Sequence, residues 1–172
     1  LLEKMKGIEG ISAPIASGNG VGWPLSDITE HFIVAFGGTE LFQNLLNHSI
    51  HWNDPKVKEI FTDKLAALLK ENYFGEPSEW TMVLEKWWNG DYGLYFMGSW
   101  ITGMVEDPTD LGVFSLPEIQ GLVFAADYLF IPAYTQNPDN AKKLLSFLVT
   151  KGQELQVQQG GHLATYLKVP IE

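Results

Sequence analysis

A stripe of apolar residues spaced three and four apart follows Pro55. Asp54 suits the N-cap position because its carboxylate can accept a hydrogen bond from a backbone N–H, and Pro55 suits the first helical position because it has no N–H to satisfy. The pattern therefore predicts a helix that begins at Pro55 and buries one face. The residues of that face are Val57, Ile60, Phe61, Leu65, Leu68 and Leu69.

Helical spacing and end signals predict further helices along most of the chain. Ser26 or Asp27 can cap a helix that runs to about Phe36, where Gly37 and Gly38 end it. Glu30 stands in the capping-box position relative to Asp27. The other predicted helical segments are 1–7, 41–46, 78–88, 98–107, 137–150 and 153–159.

Short apolar runs between glycines and prolines predict the strands. These runs are 8–16, 93–97, 112–116 with a stop at Pro117, and one or two strands within 122–132. Because strands alternate with helices, we predict the α/β fold class, with a mixed sheet flanked by helices.

Composition narrows the classes of function. The chain has 172 residues, 45% of them hydrophobic, which suffices for the core of one domain or slightly more. The net charge of −10 repels phosphate backbones and so disfavours nucleic acid as a partner. The absence of cysteine excludes disulfides, thiolate zinc sites and cysteine nucleophiles. No apolar run is long enough for a transmembrane helix.

The sequence contains no complete catalytic or metal-binding motif. Ser99 follows a predicted strand, but Met97 and Ile101 stand where a nucleophile elbow needs glycines. His48 and His51 are interpreted as a solvated pair, because no carboxylate at matching spacing completes a metal site. We therefore expect no catalytic group, no metal and no cofactor.

Carboxylates leave a glycoside-processing enzyme as one alternative, because such enzymes place two of them across a cleft. Asp127 lies within the apolar and aromatic run 124–130, where an unpaired carboxylate would be costly to bury. It either faces a cleft or is satisfied by backbone groups, and the residues alone leave both alternatives open. The candidates are Glu79, Glu85, Asp91 and Asp127.

Two neighbouring residues have the chemistry of a sugar site. Ser99 and Trp100 open a predicted short helix, whose first backbone amides and Ser99 hydroxyl can donate to ligand oxygens. The flat face of Trp100 can stack on the C–H side of a sugar ring. Core packing is the alternative role for Trp100.

Asn47, His48 and Ser49 form an N-glycosylation acceptor motif. The motif matters only in a protein that is exported by cells that have the glycosylation machinery.

Several stretches, taken in order, resemble the family 1 extracellular solute-binding proteins, which are the receptor subunits of ABC-type importers. The stretches are Gly-Trp-Pro-Leu at 22–25 before the glycine pair 37–38, Trp-Asn-Asp-Pro-Lys-Val at 52–57, Tyr-Phe-Met-Gly-Ser-Trp at 95–100, Asp-Tyr-Leu-Phe-Ile-Pro at 127–132, and Asn-Pro-Asp-Asn-Ala at 137–141 before Phe-Leu at 147–148. Their order and spacing extend over nearly the whole chain.

The resemblance implies a periplasmic-binding-protein-like (type II) lobe of a two-lobed receptor that closes on its ligand. By that map, residues 1–116 belong to the second lobe, 117–150 cross to the first lobe, and 151–172 return to the second. Most of the first lobe would then be absent from this sequence.

The resemblance also assigns the site. Trp100 is expected to stack on the sugar, Asp127 and His162 to bind its hydroxyls, and Ser99 and Trp23 to line the cleft. Ala125 and Ala126 replace a glycine pair that often precedes the acidic residue in this family.

The expected function is to bind a neutral mono- or oligosaccharide and deliver it to the membrane permease of an ABC-type importer. The protein would be extracellular or periplasmic, membrane-tethered at full length, monomeric when intact, and not an enzyme. The alternatives are the glycoside-processing enzyme and an interaction module without a small ligand.

Overall fold

A computed structural model of the chain describes residues 1–116, 119 and 121–170. The α-helices are α1 (Leu2–Lys6), α2 (Trp23–Leu46), α3 (Pro55–Glu59), α4 (Ala66–Lys70), α5 (Trp80–Trp88), α6 (Pro138–Leu148) and α7 (Lys151–Gly160). A π-helical turn (Ile60–Leu65) joins α3 to α4, and two 3-10 helices span Ser99–Gly103 and Pro108–Asp110. The strands are β1 (Ala13–Ala16) and β2 (Tyr92–Tyr95).

The predicted helix after Asp54 is confirmed. The Asp54 carboxylate accepts a hydrogen bond of 2.9 Å from the backbone N–H of Lys56, so it caps the helix as the sequence predicts. Helical structure continues through α3, the π-helical turn and α4. Val57, Ile60 and Leu65 of the predicted apolar face are buried.

The predicted helix 27–36 is wrong at both ends. α2 begins at Trp23, and no side chain caps it, so the predicted Asp27 capping box is not formed. Gly38 (φ 82°, ψ 166°) kinks the helix but does not end it, and the helix continues to Leu46. Apolar side chains on both sides of the kink pack into the core, which holds the two halves together.

The remaining helix predictions are largely confirmed. The helices predicted at 78–88, 137–150 and 153–159 correspond to α5, α6 and α7, with ends shifted by one or two residues. The one predicted at 98–107 is shorter in the structure, where a 3-10 helix covers Ser99–Gly103.

β1 and β2 pair in parallel, with Ala13 opposite Tyr92 and Ile15 opposite Leu94. On its other side, Ile15 donates from its N–H to the carbonyl of Tyr73 at 2.9 Å and accepts from Gly75 at 2.8 Å. A parallel pair needs a long crossover connection, and α2 to α5 supply it. The α/β class predicted from the sequence is confirmed.

The strands predicted at 112–116 and within 122–132 are wrong for the described residues, which are irregular there. The predicted stop at Pro117 lies outside the described residues. A strand requires a hydrogen-bonded neighbour, and no described segment pairs with either run. Apolar patterning alone therefore overstated the number of strands.

The chain divides into two compact units. Unit 1 comprises Leu1–Met97 and Val113–Phe124, and unit 2 comprises Gly98–Gly112 and Ala125–Glu172. Unit 1 contains the sheet and two clusters of buried apolar residues, in which α2 packs against the helical segment 55–70. The clusters are Ile28, Phe32, Ile60 and Leu65, and Ile33, Leu45 and Val57.

Candidate functional site

In unit 2 the Ser99–Gly103 helix carries two of the expected site residues. Ser99 is exposed and Trp100 is half-buried. The Thr102 hydroxyl donates to the Ser99 carbonyl at 2.9 Å, which closes the turn. A Cβ at Gly98 would collide with the ring of Trp100, so the indole folds back over the residue that precedes the turn. Glycine at position 98 thus leaves the space that the Trp100 ring occupies.

The same turn packs against the C-terminal end of α7. A Cβ at Gly103 would lie 2.5 Å from the carbonyl carbon of Gly160 and 2.8 Å from the carbonyl oxygen of Gln159. Gly161 ends α7 in the left-handed region, with φ 67°. A side chain at Gly161 would collide with Thr102. Two backbone segments therefore meet at a distance that only glycines allow.

His162 follows this glycine pair and is half-buried. Its backbone N–H donates to the carbonyl of Gln156 at 3.4 Å, which extends the end of α7. The Cβ position of Gly161 lies 3.0 Å from the Ser99 carbonyl oxygen. The structure thus brings the segment of His162 against the turn that carries Ser99 and Trp100.

Asp127 belongs to the same unit but is exposed and lies in an irregular segment. Its carboxylate makes no hydrogen bond or ion pair with the described residues. The structure therefore does not join Asp127 to the turn.

Trp23 lies in unit 1, as the first residue of α2. It is half-buried, and its ring meets that of Trp80, the first residue of α5, edge to face, with centroids 5.7 Å apart and an interplanar angle of 73°. Such pairs contribute roughly 0.5–1.5 kcal/mol beyond the area they bury. Trp23 therefore has a packing role in unit 1 whatever else it does.

The glycine-rich loop 17–22 before Trp23 is held on the N-terminal side of α5. Gly20 donates to the Ser78 carbonyl at 2.7 Å, and Ser78 donates to the Ser17 carbonyl at 3.1 Å. A Cβ at Gly18 would lie 2.9 Å from the Cβ of Trp80. Backbone hydrogen bonds and close glycine contacts therefore fix this loop in place.

The first turns of α2 carry two acidic groups that are partly removed from water. Burial raises the pKa of Asp27, and the electrostatic interaction with the neighbouring His31 opposes this shift. Burial and then the neighbouring Asp27 raise the pKa of Glu30. The His31 ring packs edge to face on Phe96, with centroids 4.8 Å apart, and its Nδ1 lies 2.9 Å from the Asp27 carbonyl oxygen.

Other candidate groups have structural roles or stay exposed. The Glu79 carboxylate accepts hydrogen bonds from the backbone N–H groups of Thr81 and Met82, so it caps α5. The Thr81 hydroxyl lowers the pKa of Glu79 most strongly. His48 and His51 are both exposed.

The described residues hold no cluster of three or more acidic, histidine or cysteine side chains suited to a metal ion. None of their helices combines the length and the apolar character that crossing a membrane requires.

Sequence reasoning missed two features of these surroundings. It gave Trp80 no role, although Trp80 packs directly on Trp23. It also did not anticipate that Gly103 and Gly161 allow the Ser99–Gly103 turn and the end of α7 to pack closely. Only the positions of those glycines, after a Ser-Trp turn and at a helix end, offered a signal.

Comparison with known proteins gives a consistent result. A family described as bacterial extracellular solute-binding protein matches residues 3–155. The chain is 53% identical, over its full length, to an uncharacterized ABC transporter extracellular-binding protein of Pyrococcus horikoshii. It is 28% identical, over 86% of its length, to a second protein with that description from the same organism. The chain spans 41% and 34% of these two relatives. No solved structure matches it.

Proposed function

Because this chain belongs to the family of bacterial extracellular solute-binding proteins, we propose that it forms part of a receptor that binds a neutral sugar. The receptor delivers the sugar to the membrane permease of an ABC-type importer. The two relatives support the importer, since each is described as an ABC transporter extracellular-binding protein.

The observation that carries the sugar proposal is the contact between the Ser99–Gly103 turn and the end of α7. It places an indole face, a hydroxyl and an imidazole, from Trp100, Ser99 and His162, in neighbouring segments of unit 2. Sugar sites combine a flat apolar surface with a few polar groups that fix the hydroxyls.

Charge supports a neutral ligand. The chain has a net charge of −10, which repels anions at long range. Asp127 is exposed and can accept a hydrogen bond from a sugar hydroxyl. In this proposal Trp100 stacks on the ring, Asp127 and His162 bind its hydroxyls, and Ser99 and Trp23 complete the lining.

The proposed lobe map also stands on the resemblance to the family. In the full-length receptor, 117–150 crosses to the first lobe, 1–116 and 151–172 form the second, and closure of the lobes buries the sugar. The receptor is extracellular, tethered to the membrane and monomeric. The large apolar residues between 122 and 134 are exposed in this chain, which supports a crossing segment that the first lobe covers in the full-length receptor.

The proposal is tested by calorimetric titration of the full-length protein with a panel of neutral mono- and oligosaccharides. We expect one sugar to bind. Asp127→Ala should weaken its binding by about 1–3 kcal/mol, or roughly 5- to 150-fold, because the ligand hydroxyl loses its partner. Trp100→Ala should weaken it more than tenfold.

Trp52→Ala is the matched control for Trp100→Ala, because Trp52 is 52% exposed and has no place in the proposed site. The Trp52→Ala variant should bind the sugar with the same affinity as the unmodified protein. Binding of an ionic solute instead of any sugar would overturn the ligand class. Equal affinity in Asp127→Ala would remove Asp127 from the site.

A further inference from the structure

The turn that ends α2 contains a modification motif that sugar binding does not use. Asn47, His48 and Ser49 supply the Asn-X-Ser pattern of N-glycosylation, and no other Asn in the sequence has Ser or Thr two residues later. All three residues are exposed.

The turn presents the motif in a defined geometry. The Asn47 side-chain oxygen accepts a hydrogen bond of 2.9 Å from the backbone N–H of Ser49. His48 occupies the left-handed region, with φ 62°, and reverses the chain after the helix. Backbone bonds from Asn47 to Gln43 and from Ile50 to Asn44 fix the turn at both ends.

This arrangement leaves the reactive groups of the motif accessible. The amide oxygen of Asn47 is occupied, whereas its Nδ2 bonds to no residue that the structure describes. The Ser49 hydroxyl donates to none of them either. Since the family is extracellular, its members cross the membrane. In cells that glycosylate exported chains, lipid-carried glycans are transferred at that membrane surface.

We propose that Asn47 is an N-glycosylation site of the exported protein, with a lipid-linked glycosyl phosphate as the donor. Nδ2 of Asn47 forms a bond to C1 of the first sugar, and the bond from C1 to the phosphate oxygen breaks. The lipid phosphate leaves with the bonding electrons, and a base of the transferase takes the amide proton. Oxidation states do not change.

Asn47 lies far from Trp23, the proposed sugar-binding residue that also belongs to unit 1. Asn47 follows the last residue of α2, and Trp23 is the first of its 24 residues. A straight helix of that length spans about 36 Å, and the kink at Gly38 shortens this distance only in part. A glycan at Asn47 therefore grows away from the opposite end of α2.

The test is mass spectrometry of the full-length protein purified from the cells that naturally make it. We expect the peptide that contains Asn47 to carry a hexose-containing mass, and fragmentation to place that mass on Asn47. An unmodified Asn47 peptide as the sole form, or a glycan on another residue only, would overturn the proposal.

Matched variants produced in the same cells separate the motif from the fold. Ser49→Ala should abolish the added mass although it keeps both Asn47 and the backbone N–H that bonds to it, whereas Ser49→Thr should retain the mass. Asn47→Gln should abolish it, and Asn53→Gln, at a nearby exposed Asn outside any motif, should not. A glycan that persists in Ser49→Ala would contradict the assignment.

Discussion

Unit 1 and unit 2 are stabilised in different ways. Unit 1 buries apolar side chains of α2 and of the helical segment 55–70 in two clusters. Among the described residues of unit 2, the buried large apolar side chains are those of Ile101 and Val169, and α6 buries none. Unit 2 relies instead on close backbone contacts, such as that of Gly103 with Gly160.

Exposed apolar side chains occur in both units, and Val113, Leu122 and Phe124 of unit 1 are 89%, 74% and 70% exposed. Tyr128, Phe130 and Tyr134 of unit 2 are 77%, 82% and 83% exposed. Extended apolar surface on an exported chain marks a contact region. The comparison teaches that unit 1 has its core within this sequence, whereas unit 2 buries few apolar side chains. The exposed apolar residues between 122 and 134, which come from both units, form surface that the proposed first lobe would cover.

The largest expected effect contrasts one substitution in the two units of the 172-residue chain. Leu45→Ala in unit 1 should lower the free energy of unfolding by about 2–5 kcal/mol, because Leu45 is 1% exposed and a cavity would replace it. Leu144→Ala in unit 2 should change it by less than about 0.5 kcal/mol, because Leu144 is 59% exposed. Urea unfolding measures both.

Equal losses in the two variants would show that α6 is packed as firmly as the unit 1 core. In the full-length receptor we expect the loss caused by Leu144→Ala to be larger, since α6 lies in the segment that the proposed lobe map has crossing to the first lobe.

The amount that could be predicted from the sequence depends on whether the signal for an element is local. Local signals sufficed for helices: Asp54 caps α3, and Pro138 and the glycine pair 160–161 delimit α6 and α7 in unit 2. Strands were less predictable, because the run 122–132 has no pairing partner among the described residues. The kink at Gly38 was mistaken for a helix end, because packing on both sides of it cannot be read locally.

The candidate site could likewise be predicted from the sequence only in part. Ser99, Trp100 and His162 could be selected from residue type and family resemblance. Their proximity depends on glycines that lie 58 positions apart, Gly103 and Gly161, and sequence spacing gives no information on such a contact. The Trp23–Trp80 pair is likewise long-range and was missed.

Backbone amides of 122–132 should exchange hydrogen at different rates in the 172-residue chain and in the full-length receptor. We expect their hydrogen exchange to slow by about tenfold or more at full length, because strand pairing with the first lobe would protect them. Amides of β1 should exchange equally in both proteins, since Tyr73, Gly75 and β2 already pair with it. Mass spectrometry of peptides measures both. Equal exchange of 122–132 would contradict the lobe map.

Two glycines of unit 2 test how far backbone contact holds it together. Gly103→Ala should destabilise the chain by about 1–3 kcal/mol, because the new Cβ would lie 2.5 Å from Gly160. Gly112→Ala is the control, since nothing lies within 4 Å of its Cβ position. That variant should unfold at the same urea concentration as the parent or slightly higher. Tolerance of both changes would show that the turn and α7 separate freely.

The smallest expected effect concerns the contact of α1 with the rest of unit 1. The Tyr73 hydroxyl donates to Glu3 at 2.5 Å, and the Lys6 ammonium lies 3.3 Å from the same carboxylate oxygen. The bond to Glu3 raises the pKa of Tyr73 to about 12, and the hydroxyl of Tyr73 lowers the pKa of Glu3. Both shifts describe one contact, between a neutral phenol and an ionised carboxylate.

The signs of these shifts set a pH window for the contact. Its contribution through Glu3 is present above the unfolded pKa of that carboxyl and is lost as the pH falls through the lower folded value. Its contribution through Tyr73 is complete below about pH 10 and is lost as the pH rises through about 12. Glu3→Gln should move the tyrosinate absorbance transition of Tyr73 toward pH 10, with Tyr73→Phe to identify it among the six tyrosines. Glu9→Gln, at an exposed residue without this bond, should leave the transition unchanged, and an unshifted transition in Glu3→Gln would show that α1 does not hold this contact in solution.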